Sequence, residues 1–269
     1  KVFTLSIEDA LNRGYLVPYY YHPIFVNSTE AEEKRFNKES AQIASCFKNG
    51  ICIDKEKLAV HLRARLRIIS MAEEKLDRIT ELLKFIKEKD HFIIYCGDGH
   101  LLDSDNEEIR HIEFVKQKLS LLGFKSSRFT ATETMAERME LVDSFNDGAI
   151  DALAAIRCLD EGINIPSIKG AMILSSNDDY REFVQRRGRI LRTYKDKKYA
   201  NIYDVVVLPS YDTPKMAEIE LRRFYEYARL SINHEALLLR LENLASEYGL
   251  ILEDFITKFD EDKELALDD

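Results

Sequence analysis

A chain of 269 residues with 45% apolar and 32% charged side chains can build a sizeable core under a well-hydrated surface. Its formal net charge of −9 excludes a blanket electrostatic grip on nucleic acid but leaves room for a local one. No apolar run nears the ~20 residues of a membrane span, no signal-peptide pattern opens the chain, and the cysteines (Cys46, Cys52, Cys96, Cys158) lack metal or redox spacing. The expectation is a cytoplasmic protein with reduced cysteines and no membrane partner. Because it opens on a strand-like segment at Lys1, the chain reads as a piece of a longer protein.

In chain order, Ser6-Ile7-Glu8-Asp9 is a helix-start signature and Gly14 a stop. Residues 16–26 are extended, since two prolines and a run of aromatics do not make a helix. Tyr19, Tyr20 and Tyr21 either stack on bases or pack as an aromatic edge. Residues 29–47 read as a charged helix, and residues 54–89 hold two more helical patterns around Arg63, Arg65 and Arg67. In the second, Leu76, Ile79, Leu82, Leu83 and Ile86 recur at the spacing of a helix packed on a sheet. The alternating arginines are either a solvated face or contacts to phosphates where two lobes meet.

From His91 the period changes. Phe92-Ile-Ile-Tyr-Cys96 is a continuous apolar run, as in a strand buried on both faces. Gly97-Asp98-Gly99-His100 follows, then a helix over 107–122 stopped by Gly123. A strand is expected at 124–129, a helix at 133–145, and strands at 150–156, 170–174 and 202–208. Strands alternating with helices imply βαβ crossovers and a mainly parallel sheet. Beyond 211 the chain reads as helical, with amphipathic patterns at 218–229 and 235–248. The final seventeen residues carry eight acids against two lysines and are expected to fray.

The most concentrated chemistry is Gln185-Arg186-Arg187-Gly188-Arg189-Ile190-Leu191-Arg192. On one helix over 183–192, Gln185, Arg189 and Arg192 share a face at i, i+4 and i+7. Guanidiniums stay charged and grip phosphate oxygens two at a time, and Gly188, lacking a Cβ, lets a neighbour or ligand come close. Residues 186–198 hold seven basic side chains against Asp196 alone. A merely solvated face would mix in lysines with acids at i+4, and on the N-terminal side only Glu182 stands near.

This Q-x-x-G-R-x-x-R pattern resembles motif VI of superfamily 2 helicases. By position, Arg189 and Arg192 would be catalytic arginine fingers and Gln185 a contact near the γ-phosphate of ATP. The Ile-Leu pair before Arg192 is more similar to DNA-repair and restriction-type helicases than to RNA helicases. Residues 155–166 resemble motif V, which places Glu161, Gly162 and Asn164 where the family couples the nucleotide to the strand. Gly162 would supply a tight turn, and Asn164 a bond to the ribose or to a neighbouring finger. The family usually has Asp at the position of Asn164 and a phosphate-binding Thr near Ile156. Arg157 or backbone N–H groups would take the place of that Thr. Residues 95–100 are loosely similar to motif IV, bringing Gly97 and His100 toward nucleic acid, although a plain turn reads equally well. Thr130-Ala131-Thr132-Glu133 is an N-cap signature, and its hydroxyls and N–H groups would make an anion site for the strand. Residues 6–19 are similar to the exit from the first motor lobe of restriction-like helicases.

The resemblance implies an α/β, RecA-like parallel sheet flanked by helices over 75–209. Before it come the tail of a first motor lobe and a helical linker (1–74), and after it a helical extension (210–269). No G-x-x-x-x-G-K-S/T and no Mg²⁺-holding D-E-x-H run is present in the sequence. ATP and Mg²⁺ would therefore be held mainly by an N-terminal RecA-like lobe, and this chain alone should not hydrolyse ATP. No His, Cys or acidic set has metal spacing, and the acidic loop at 103–108 lacks the central Gly of an EF-hand. The implied function is the second motor lobe of an ATP-dependent DNA helicase or translocase that contacts the DNA backbone. Two alternatives stay open: a non-catalytic RecA-like platform for nucleic acid or protein, and an RNA helicase lobe.

Overall fold

A computed structural model describes residues 6–87, 89–102, 107–156, 164–175, 180–210, 213–253 and 256–257. The chain opens with α1 (Ile7–Asn12), whose cap Ser6 accepts from the Asp9 amide. Strand β1 (Tyr19–Asn27) leads to α2 (Glu30–Ser45), a two-residue hairpin of β2 (Phe47–Lys48) and β3 (Ile51–Cys52), and α3 (Lys55–Ser70). Short helices α4 (Glu73–Asp77) and α5 (Ile79–Lys84) precede β4 (Phe92–Cys96). A second hairpin, β5 (His100–Leu102) and β6 (Glu108–Arg110), runs into α6 (His111–Leu121). Then come β7 (Ser126–Phe129), α7 (Met135–Asn146), β8 (Ala152–Ile156), β9 (Gly170–Ile173), α8 (Tyr180–Ile190), β10 (Ala200–Leu208), α9 (Pro214–Ala228) and α10 (His234–Glu247).

Six strands form one sheet in the order β1-β10-β9-β4-β8-β7, and every pairing is parallel. Side chains alternate across it. Ile93 and Tyr95 of β4 face a cluster with Phe183 of α8, Phe224 of α9 and Leu241 of α10. Phe92, Ile94 and Cys96 face the other cluster, with Ile69 of α3, Leu82 of α5 and Ile112 of α6. Helices thus cover both faces, which is why β4 reads as an unbroken apolar run. Each such side chain fully buried contributes roughly 1.5–3 kcal/mol. Gly170 is required where it stands, because a Cβ there would lie 2.5 Å from the Phe92 ring and 2.8 Å from the Asn201 carbonyl oxygen.

The five expected strands all form, and the extended segment becomes a sixth. Strand β1 lies along β10 in register from Tyr19 opposite Ala200 to Asn27 opposite Leu208. The sheet therefore reaches outside the 75–209 span, and α9 packs into its core from beyond 209. Tyr19 and Tyr21 are fully buried, their hydroxyls donating to the Tyr227 carbonyl at 2.6 Å and to Asp204 at 2.8 Å. They pack rather than stack on bases, whereas Tyr20 is half-buried against Tyr199.

Three helical expectations need correction. The stripe at 76–86 divides into α4 and α5, because the chain turns at Arg78. Helix α6 begins only at His111, since residues 108–110 pair with 100–102 instead. Helix α7 is capped by Thr134, whose capping box with Glu137 displaces the start expected at 133. Among the described residues, no helix is long and apolar enough to cross a membrane, and Cys46, Cys52 and Cys96 are free thiols.

Candidate nucleotide and nucleic-acid contacts

Helix α8 joins two adjacent parallel strands, so it runs antiparallel to them, from the carboxyl end of β9 toward the amino end of β10. Its two ends therefore lie at opposite rims of the sheet, about 16 Å apart for eleven residues. Arg189 and Arg192 sit at the far end, away from the carboxyl rim where the strand loops Gly97–His100 and Thr130–Glu133 emerge.

The four arginines divide two and two. Arg187 is fully buried, donating through Nη1 to the Glu226 carbonyl at 2.8 Å and through Nη2 to the Glu226 carboxylate on α9. Arg186 is buried as well. It donates to the Ser175 carbonyl at 2.8 Å, pairs with Glu182, and lies 4.5 Å from the centre of the Tyr95 ring. These two hold the helix to the sheet and to α9. Gln185 is exposed and Arg189 half-buried, one turn apart on the same face.

Arg192 lies past the end of the helix, so the proposed i+7 face is broken there. Its backbone forms an antiparallel bridge with Leu16, and the Val17 amide donates to the Leu191 carbonyl at 2.8 Å. The Lys197 ammonium closes the helix end, donating to the carbonyls of Ile190 and Arg192. Burial lowers its pKa to about 8. The Arg192 guanidinium donates to Asn164 Oδ1. Asn164 and Arg192, paired through this bond, come from the loop before β9 and from just past the end of α8. Arg192 has no carboxylate within ion-pair distance among the described residues. Gly188 has nothing within 4 Å of a notional Cβ, so no neighbour in the fold requires a glycine there. Arg157, Glu161 and Gly162 lie outside the described residues.

At the carboxyl rim, three expected strand contacts are satisfied internally. The Gly97 amide donates to His111 Nδ1 at 3.0 Å, so it is not offered to a phosphate. The Thr130 amide and hydroxyl donate to Glu133 Oε2 at 2.6 and 2.8 Å, and the Thr132 amide donates to the Thr130 hydroxyl at 3.2 Å. A side-chain carboxylate thus fills the anion position that the sequence suggested for a phosphate. Burial works against the charge on Glu133, but Thr130 and Arg128 outweigh it and hold its carboxyl below the ordinary range. His100 is exposed on the β5–β6 hairpin. No group of three His, Cys, Asp or Glu is placed to hold a metal ion among the described residues.

His111 should make the rim sensitive to acid. Burial first, and then the charge of Lys75, lower its pKa from 6.5 to about 4. The unfolded chain therefore binds the proton more tightly. The stability cost is absent above the unfolded value near 6.5, grows as pH falls, and is complete near 4. By linkage the lobe should be about 2 kcal/mol less stable at pH 5 than at pH 8 from this group alone. Urea midpoints across that range should fall with pH, and His111→Gln should flatten the curve. An unchanged slope in the variant would assign the acid sensitivity elsewhere.

Residues 74–194 match the helicase conserved C-terminal domain. The chain carries a helicase C-terminal domain. It is 23% identical over 217 residues to the DNA 3'-5' translocase XPB2 of Sulfurisphaera tokodaii, covering 73% of this chain and 45% of that protein. It is 32% identical over 97 residues to Rad25 of Halobacterium salinarum, covering 35% of this chain and 16% of that protein. The chain thus spans less than half the length of either relative. Among solved structures, it is similar to the SWI2/SNF2 ATPase core of Sulfolobus solfataricus in complex with dsDNA. There the TM-score is 0.52 at 12% identity, over 87% of this chain and 51% of that one. The C-terminal part of the Fun30 ATPase domain gives 0.50 at 15% identity, over 76% and 90%. These likenesses carry the fold, that of a RecA-like helicase C-terminal lobe.

Several contacts of this helicase lobe had no motif to announce them. The Arg187–Glu226 pair joins the helicase domain to α9, beyond the matched residues. The Leu16–Arg192 bridge joins it to the segment before β1. Only Lys197 had a sequence signal, as a basic residue just after a helix.

Proposed function

We propose that this chain is the second motor lobe of an ATP-dependent superfamily 2 DNA helicase or translocase. It supplies Arg189 and Arg192 as arginine fingers to a nucleotide held mainly by an N-terminal RecA-like lobe. The observation that carries the reading is the state of Arg192. Its neighbours Arg186 and Arg187 are spent on the core, whereas Arg192 is held by a neutral amide and keeps its full charge for an incoming anion. A single hydrogen bond to Asn164 contributes about 1 kcal/mol, enough to orient the guanidinium and little enough to give it up.

ATP supplies the phosphoanhydride whose cleavage drives the cycle. The lobe's own part is electrostatic: two guanidiniums, which neither gain nor lose a proton, offset charge developing on the transferred phosphoryl oxygens. Gln185, exposed one turn before Arg189, would add a polar contact near the γ-phosphate, and Glu161 and Gly162 would join Asn164 in the motif V loop. Mg²⁺ falls to the other lobe, since this sequence carries no D-E-x-H run to hold it. Closure of the lobes on ATP would bring the fingers in, and release would shift the rim along the DNA backbone with little sequence preference. We read the protein as cytoplasmic, in keeping with its free thiols.

The test is ATP turnover by the full-length protein with DNA, with RNA and without nucleic acid, alongside this chain alone. DNA should stimulate turnover, and this chain alone should show none. Stimulation by RNA only would make it an RNA motor. No turnover under any condition would leave a non-catalytic platform.

A further inference from the structure

Helix α3 lies before the residues that match the helicase domain, and its arginines had two readings from sequence. Residues two apart on a helix do not share a face, whereas residues four apart do. Arg65 turns to α2, with its guanidinium 5.6 Å from the centre of the Phe36 ring. Arg63 and Arg67 instead line a cleft of about 360 Å³ at the carboxyl rim. Two neighbouring strands, β8 and β4, end at this cleft with Ile156 and Cys96, and Ser175, two residues past the end of β9, lines it too. Arg186 also lines it, a guanidinium only 3% exposed whose Nε has no hydrogen-bond partner among the described residues.

The charges in the cleft do not cancel. Glu182 is matched by Arg186, and Asp98 lies 3.7 Å from Arg110 outside it. Arg63 donates to the Ala59 carbonyl at 3.1 Å, and Arg67 to the Asp98 carbonyl at 3.4 Å. Neither has a carboxylate partner among the described residues. Both are exposed, one helical turn apart, a rise of about 6 Å that suits successive phosphates of an extended strand. Meanwhile Gly97, Thr130 and Thr132, the contacts expected from motifs, spend their amides inside the fold.

We propose that Arg63 and Arg67, beside the buried guanidinium of Arg186, form the lobe's binding site for the sugar-phosphate backbone of a nucleic-acid strand. The proposal rests on the DNA-motor reading and assigns the backbone contact to a helix outside the helicase domain. The cleft admits a short stretch of single-strand backbone, not a duplex. Bidentate forks suit phosphate here, and the contact reads no bases.

The test is fluorescence-anisotropy titration of this chain with a labelled single-stranded DNA across a salt series. Arg63→Ala/Arg67→Ala removes two exposed side chains, so the fold should persist by circular dichroism. The double variant should bind at least roughly tenfold more weakly at low salt, since each charge-assisted bond to a phosphate supplies a large fraction of the affinity. Its log–log salt slope should be shallower by about 1.4, two phosphates at about 0.7 each for a single strand. Arg63→Lys/Arg67→Lys should restore most of the slope. The control is Lys195→Ala/Lys198→Ala, in the lysine-lined cleft of about 510 Å³ at the opposite rim, which should leave the slope unchanged. If the chain binds DNA but the arginine variant matches wild type, or only the lysine variant weakens binding, the site is refuted and the DNA-motor reading stands. If the wild-type chain binds no DNA at any salt, both fall.

Discussion

Arg192→Ala in the full-length protein should lower DNA-stimulated ATP turnover by roughly 10³-fold or more while ATP binding stays near wild type. The expectation follows from what Arg192 does and does not hold in the lobe. Among the described residues its guanidinium makes one side-chain hydrogen bond, to Asn164, and its structural ties run through the backbone, to Leu16 and Lys197. Alanine keeps those backbone ties, so the fold should lose no more than about 1 kcal/mol. A charge that serves the transition state rather than the ground state shows itself as a fall in kcat with KM little changed. Arg192→Lys should recover only part of the loss, because an ammonium lacks the planar fork. Asn164→Ala should have a much smaller effect, since it frees the finger without removing it. Equal turnover by wild type and Arg192→Ala would end the finger assignment and favour a non-catalytic platform.

The fold was largely legible because its signals are local. Phe92–Cys96 and residues 202–208 are strands buried on both faces, and short apolar runs of this length suit that arrangement. The place of β1 was not legible. A segment with Pro18 and Pro23 reads as extended, but nothing local says that it pairs with β10, some 180 residues later. Its prolines are tolerated because Pro18 precedes the strand and β1 is, among the described residues, an edge strand of the sheet.

The motifs name candidate residues, but they do not say how the fold uses each side chain. Charge pattern alone could not divide the four arginines, since the burial of Arg187 depends on Glu226, thirty-nine residues later on another helix. Likewise Thr130 and Thr132 carry the right groups for an anion, and the fold supplies one of its own in Glu133. Local pattern shows which groups can bind. Tertiary contacts decide which of them remain to be used.

Glu226→Gln should destabilise the lobe by about 3–5 kcal/mol, the usual cost of stranding one member of a buried ion pair. Arg187 and Glu226 are both wholly removed from solvent, and the Tyr227 ring lies 5.4 Å from the guanidinium. Arg229 also donates to Glu226, at 2.8 Å, which makes the pair asymmetric. Removing Glu226 leaves Arg187 charged with no anion, whereas Arg187→Met leaves Glu226 still paired with Arg229. The second change should therefore cost less, about 2–3 kcal/mol, and Arg187→Met/Glu226→Leu should cost less than the sum of the two single changes. Acid reports the same contact. Burial opposes the Glu226 charge, but Arg187 and Arg229 outweigh it and hold the carboxyl below its ordinary value. A depressed carboxyl contributes stability above about pH 4.5 that is lost as pH falls through the folded value, and Glu226→Gln should remove that loss. Urea unfolding of the four proteins at pH 7 and pH 4 measures both. If Glu226→Gln unfolds at the wild-type midpoint, the pair does not hold α8 to α9. Helix α8 would then owe its position to the buried side chains of Phe183 and Ile190, to Arg186 and Lys197, and to the Leu16 bridge.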